Sequence, residues 1–270
     1  MTLKFCANIS WMFREAGAVP LRYGAAGRAG FRGVEAAFLY DHPMEEVVKA
    51  KEEAGVEQVL INMFPGNLAD GELGLAALPG RQQAFKDGLE LSIKYANALN
   101  CKRMHLMAGR VPVDWSREAA LPSMEEAFVE NLKFAATRLE KEGILALIEP
   151  INSKMTDPKY FLNTPQQALG ILQKVGHKNV KLQMDFFHQQ IMDGNLTNSI
   201  KEYLPHIGHM QISQVPGRGE PDTDGEVNYG YVFGVLESVG YDGWIGLEYN
   251  PAGDTVTGLE WWRKYMSKAK

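Results

Sequence analysis

Four oxygen-bearing side chains end short apolar runs in the second half of the chain: Glu149 closes LALIEP, Asp185 closes VKLQMD, Gln211 closes GHMQ and Glu248 closes WIGLEY. Three carboxylates and an amide gathered in a partly dry site repel one another unless a cation sits among them. Oxygen donors without a thiolate suit a hard ion, so Mg2+ or Mn2+ is the expected cofactor, with nearby His188 leaving room for a softer metal. Taken singly, each of the four is as well explained as a strand-end polar group bonded to loop backbone; four on consecutive strands weaken that explanation.

Further candidates lie beside them. His188 follows Asp185 by three residues, where the strand is expected to give way to a loop, and can bond a substrate oxygen; the plainer alternative is a buried histidine satisfying a carbonyl. Arg218, in the loop QVPGRGEPDTDGE, can grip a substrate carboxylate with its planar fork, or simply be solvated. Glu35, in GVEAAF, is a candidate pocket wall bonding a substrate hydroxyl, with a salt bridge inside the fold as its alternative. His209 lies two residues before Gln211, hence on the same strand face one layer deeper, and is expected to support its neighbours. His105 stays ambiguous, and His42, His177 and His206 are expected in solvent. Trp11, Met12 and Phe13 are expected to form an apolar lid, and Trp261 and Trp262 to pack a helix on the exterior.

The elements that must position these groups alternate. Apolar, β-rich runs occur near residues 4–10, 33–38, 56–63, 103–109, 144–150, 180–188, 207–213 and 243–250, with helical periodicity between them at 44–55, 81–100 and 123–143. Gly55, Asn100, Gly143 and Gly176 stand where a helix would end in a left-handed residue before re-entering the sheet. Eight such units without a linker or charge block predict one (β/α)8 TIM barrel over residues 1–270, whose functional groups gather at the C-terminal ends of the strands. An open doubly wound sheet would need a glycine-rich first turn, and NISWMFREAG lacks one.

Composition narrows the partners. A net charge of -5 disfavours nucleic acid and anionic lipid, leaving small molecules as the expected partners. The 270-residue chain has two cysteines, Cys6 and Cys101, and no long uncharged apolar run, so a reducing, cytoplasmic setting away from the membrane is expected, with a homo-oligomer open.

At the motifs FCANIS, GVEAAF, LIEPIN, QMDFFHQQIMDGNL, IGHMQISQVPGRGEP and GWIGLEYNP the chain resembles the hydroxypyruvate isomerase family, one of the xylose-isomerase-like barrels that also include ketose epimerases and endonuclease IV. The resemblance is nearly full length. It implies that Glu149, Asp185, Gln211 and Glu248 surround the metal, that Glu149 and Glu248 double as the acid/base pair, and that His188 and Arg218 contact a sugar-acid substrate. The implied reaction interconverts hydroxypyruvate and tartronate semialdehyde (2-hydroxy-3-oxopropanoate) through an enediolate. Isomerisation of a 2-oxotetronate, 3-epimerisation of a ketose, and sugar-acid binding without turnover are the alternatives; an endonuclease would want more histidine ligands and a basic groove. Gly219 and the pair Ser213-Gln214 depart from the family pattern and bear on substrate choice.

Overall fold

The apolar runs become parallel strands: β1 (Lys4–Asn8), β2 (Gly33–Ala36), β3 (Glu57–Asn62), β4 (Arg103–His105), β5 (Leu145–Ile148), β6 (Val180–Asp185), β7 (Ile207–Ile212) and β8 (Trp244–Leu247). They close in sequence order, with β1 paired to both β2 and β8, in a computed structural model that describes residues 2–268, the Lys268 side chain excepted. Met1, Ala269 and Lys270, within the expected span of 1–270, lie outside the described residues. The helices are α1 (Val19–Ala29), α2 (Met44–Ala54), α3 (Gln82–Ala98), α4 (Arg117–Lys141), α5 (Pro165–Val175), α6 (Phe186–Met192), α7 (Leu196–Tyr203), α8 (Tyr229–Ser238), α9 (Thr255–Gly258) and α10 (Glu260–Lys268). This is the expected TIM barrel.

The expected helix endings hold: Gly55, Asn100, Gly143 and Gly176 all have φ between 52° and 65°. Two boundaries differ. Helix α4 begins at Arg117 rather than 123, because the Ser116 hydroxyl caps the Ala119 N–H and the helix continues through Pro122. Strand β6 stops at Asp185, whose carboxylate accepts the Phe187 N–H and so opens α6; His188 therefore sits in the first turn of a helix, not in a loop.

Most apolar side chains pack between sheet and helices, including Phe85, Phe128, Phe161 and Phe186. Trp261 is in that layer, edge-on to Phe5, while Trp262 stacks on Phe31. Both tryptophans thus pack outside the barrel, as expected. Met12 and Phe13 are also core, at 0% and 1% exposure, which corrects the expectation of an apolar lid and leaves Trp11 alone at the rim. A smaller cluster of Cys6, Val59, Leu60 and Leu147 is separate from that layer. Leu147, two residues before Glu149, shares its face, so the cluster lies inside the barrel, beneath the polar rim. A dry floor under a polar layer makes any group in that layer left without a partner costly.

Candidate active site

Period-two alternation along each strand turns one residue in two toward the barrel axis, and at the C-terminal end those residues are polar: Asn8, Glu35, His105, Gln183, Asp185, His209 and Gln211, continued by Glu149 and Glu248 just past their strands. All are buried except Glu248, whose side chain is 14% exposed. Their contacts form one network.

Glu248 is gripped on both oxygens. Oε1 accepts from Arg218 Nη2 at 2.6 Å; Oε2 accepts from Asn8 Nδ2 at 3.1 Å and, in a short contact, from Gln211 Nε2. Gln211 Oε1 in turn accepts from Gln183 Nε2 at 2.6 Å, and the same Gln183 nitrogen donates to Glu149 Oε2 at 2.9 Å. Two amides therefore join the two expected proton carriers. Asp185 Oδ2 receives Arg218 Nη2 at 3.4 Å, and His188 Nε2 stands 3.5 Å from Asp185 Oδ2 and 3.7 Å from Glu149 Oε1. One ligand atom each from Glu149, Asp185 and His188 lies within 4.8 Å of the others.

Burial pushes the Glu149 carboxyl well up, and Glu248 and Asp185 add to the rise by repulsion. Glu248 is pushed up to about 8 by burial, with Arg218 opposing. Asp185 rises for the same first reason against the same opposition. Both histidines go the other way: burial, then Arg218 and His105, hold His188 well below the ordinary range, and burial with His209 takes His105 down to about 3. Neutral imidazoles beside under-neutralised carboxylates make a donor set that fits a divalent cation. Unsatisfied atoms point the same way: Gln183 Oε1 and His105 Nε2 are buried without a hydrogen-bond partner, and His105 Nδ1 has only a 3.4 Å approach to Glu149 Oε2.

Arg218 is prepared for its place. Its guanidinium lies between the Trp11 ring at 4.4 Å and the Phe187 ring at 4.8 Å, and its backbone takes the left-handed region with φ 53°. The loop that carries it is braced by Gln214, whose Oε1 accepts the Val215 and Val227 N–H groups at 3.0 Å while Nε2 donates to the Thr223 and Val227 carbonyls. Gln214 thus has a structural task that uses both its donor and its acceptor. Gly219 has no such explanation, since an added Cβ would meet only Thr223 Oγ1, at 3.5 Å.

The structure brings together Glu149, Asp185, Gln211, Glu248, His188 and Arg218. It corrects one expectation. Glu35 is 0% exposed and its oxygens are taken, by Asn8 Nδ2 at 2.9 Å, Gln211 Nε2 at 2.6 Å and His209 Nε2 at 2.6 Å, so it does not line a substrate pocket. Its alternative, a pair inside the barrel, is what forms, and His209 lies in the deeper layer as expected. Cys6, Glu35 and His209 also cluster, but a 2.6 Å contact between His209 and Glu35 is a hydrogen bond with no space for an ion. Asn8 and Gln183 were missed by sequence reasoning, though both were findable: Gln183 stands two residues before Asp185, and Asn8 is the first amide in the run at 4–10.

The family model described as xylose isomerase-like TIM barrel matches residues 24–265. A protein of Danio rerio named provisionally as a hydroxypyruvate isomerase is 59% identical, covering 97% of this chain and 95% of its own. The hydroxypyruvate isomerase of Escherichia coli is 42% identical over 97% of this chain and 99% of its own, and the 2-oxo-tetronate isomerase of Cupriavidus necator is 41% identical over 98% and 99%. A Brucella melitensis crystal structure titled AP endonuclease, family 2, is 42% identical with a TM-score of 0.91, covering 98% of this chain and 99% of that one.

Proposed function

Since the chain belongs to the hydroxypyruvate isomerase family of xylose isomerase-like TIM barrels, and is an isomerase, we propose that it interconverts hydroxypyruvate and 2-hydroxy-3-oxopropanoate with the help of a divalent metal ion. The observation that carries this reading is geometric: Glu149, buried, and Glu248, 14% exposed, reach one site from β5 and β8 and are joined through the Gln183 and Gln211 amides. Moving a carbonyl to the adjacent carbon removes one carbon-bound proton and delivers another, which suits a pair whose members can each be acid or base.

Glu149, Asp185, Gln211 through its amide oxygen, and Glu248 would hold the ion; Glu149 and Asp185 already cluster with His188, while Gln211 Oε1 is engaged by Gln183 and the Glu248 oxygens by Arg218, Asn8 and Gln211. A bound Mg2+ or Mn2+ supplies charge to stabilise the oxyanion that develops next to the reacting carbons. The rest is the work of this chain. Glu248 takes or gives a proton at the oxygen that Arg218 otherwise grips; Glu149 does so from the other side, kept in place by Gln183. Neutral His188 bonds a substrate oxygen, and Arg218, held flat between two rings, pairs with the substrate carboxylate. Burial of the whole set keeps water from competing for the protons in transit.

A second reading, isomerisation of a 2-oxo-tetronate, is favoured by the 41% identity to the C. necator protein and would use the same carboxylates. Metal-stripped protein, given back Mg2+, Mn2+ or Zn2+ and offered hydroxypyruvate, 2-oxotetronates and free ketoses, decides between them. Turnover of hydroxypyruvate that returns with Mg2+ or Mn2+ is expected; a preference for the four-carbon acid would install the second reading, and full activity without metal would remove the ion from both.

A further inference from the structure

We propose that Glu35 is a positioning residue: it fixes which way the Asn8 and Gln211 amides face and, through them, the orientation of Glu248. The proposal deepens the isomerase reading and rests on Glu248 as a proton carrier.

Asn8 Nδ2 and Gln211 Nε2 each donate to two carboxylates, to Glu35 Oε1 below and to Glu248 Oε2 above. An amide has two N–H bonds and one oxygen, so an acceptor on each side commits its nitrogen to this direction and its oxygen away from it. For Gln211 that leaves Oε1 to accept from Gln183 Nε2 at 2.6 Å, and for Asn8 it leaves Oδ1 to accept the Ser10 N–H at 3.0 Å. A 180° flip would set the amide oxygen against two carboxylates. Glu248 is thereby denied rotation about its own side chain, which a residue trading protons with a carbon at one fixed angle requires.

The barrel is built around Glu35. Its Oε2 is paired with His209 Nε2 at 2.6 Å and approached by Cys6 Sγ at 3.7 Å, so the carboxylate has partners on β1, β7 and the floor cluster. On β8, two residues before Glu248, stands Gly246, where an added Cβ would come within 2.3 Å of Glu35 Oε1. A side chain is absent where Glu35 needs the space. Three buried polar partners, a thiol contact and a glycine-made recess are a costly arrangement for a residue that touches no substrate.

The test compares Glu35→Gln, Gln211→Leu and the double variant in kcat and KM for hydroxypyruvate and in Mn2+ affinity by titration calorimetry. Glu35→Gln, equal in size but with a donor in place of one acceptor, is expected to lower kcat by about 10-fold to 100-fold with KM little changed, and to weaken Mn2+ by a comparable factor. Added to Gln211→Leu it should cost far less than the product of the two single losses, because both act on one amide. Wild-type kcat and Mn2+ affinity in Glu35→Gln, a fall in melting temperature alone, or losses that multiply would each overturn the proposal. Glu35→Asp, which retracts the acceptor by one methylene, decides the matter on the same criteria if Glu35→Gln does not fold. Absence of hydroxypyruvate turnover in the wild type would instead count against the isomerase reading, leaving the Mn2+ comparison to judge Glu35.

Discussion

At the scale of single residues, the proposed chemistry rests on groups that are costly to bury together and useful for that reason. Glu149→Gln or Glu248→Gln keeps shape and removes the titrating oxygen, so each variant should fold with unchanged circular dichroism yet lose about 100-fold to 10,000-fold in kcat. Near-wild-type rates in both would refute the acid/base assignment. Arg218 presents a different case, because its guanidinium grips Glu248 and Asp185 while lying between Trp11 and Phe187. Arg218→Ala should raise KM for hydroxypyruvate by about 10-fold to 100-fold, the worth of one hydrogen bond to a charged group at about 1.5–3 kcal/mol. A neutral ketose should suffer much less. Equal damage to both substrates in steady-state kinetics would deny Arg218 the role of carboxylate clamp.

At the scale of elements, strands matter as rulers that set which residues share a layer. Gly246 lies on β8 where Glu35 fills the space a side chain would take, within 2.3 Å of an added Cβ. Gly246→Ala should therefore destabilise the protein by about 1–3 kcal/mol through overpacking. Differential scanning fluorimetry would register this as a loss of about 2–12 °C for a chain of this length; no loss would mean that the strand yields without cost. The same ruler explains what was legible in the sequence. Apolar runs ending in Glu149, Asp185, Gln211 and Glu248 announced the rim, and left-handed caps at Gly55, Asn100, Gly143 and Gly176 announced the return of each helix. The start of α4 was harder, since Pro122 looks like a boundary until the Ser116 cap is seen. Glu35 was misplaced because a strand of four residues gives the layer to which a side chain belongs only once its neighbours' register is known. Met12 and Phe13 were misread because an apolar run after a strand looks the same in sequence whether it covers a pocket or turns back into the core.

At the scale of the whole molecule, closing eight strands gives the carboxylates a shared, nearly dry centre, and the protein's stability should report it. Glu149, Asp185 and Glu248 have folded values raised above their ordinary ones. Their protonated forms favour the fold, so this contribution is whole below the ordinary carboxylate range and is lost as pH rises through about 8, the value for Glu248. His105 and His188 are depressed from 6.5, so acid protonates them more readily in the unfolded chain and stability falls below that pH. The two trends oppose one another below 6.5, and above it the carboxylates act alone, so metal-stripped protein should lose stability as pH rises from 6.5 through about 8. A divalent ion, which displaces those protons, should widen its Tm advantage over the same interval. A stripped protein whose Tm climbs steadily through pH 8 would contradict the placement of these charges.

The most direct measurement is an anomalous difference map from crystals soaked in Mn2+. One peak is predicted, about 2.0–2.3 Å from an oxygen of each of Glu149, Asp185, Gln211 and Glu248, the range expected for a hard cation. No peak, or a peak bound by other residues with these four pointing elsewhere, would contradict the account.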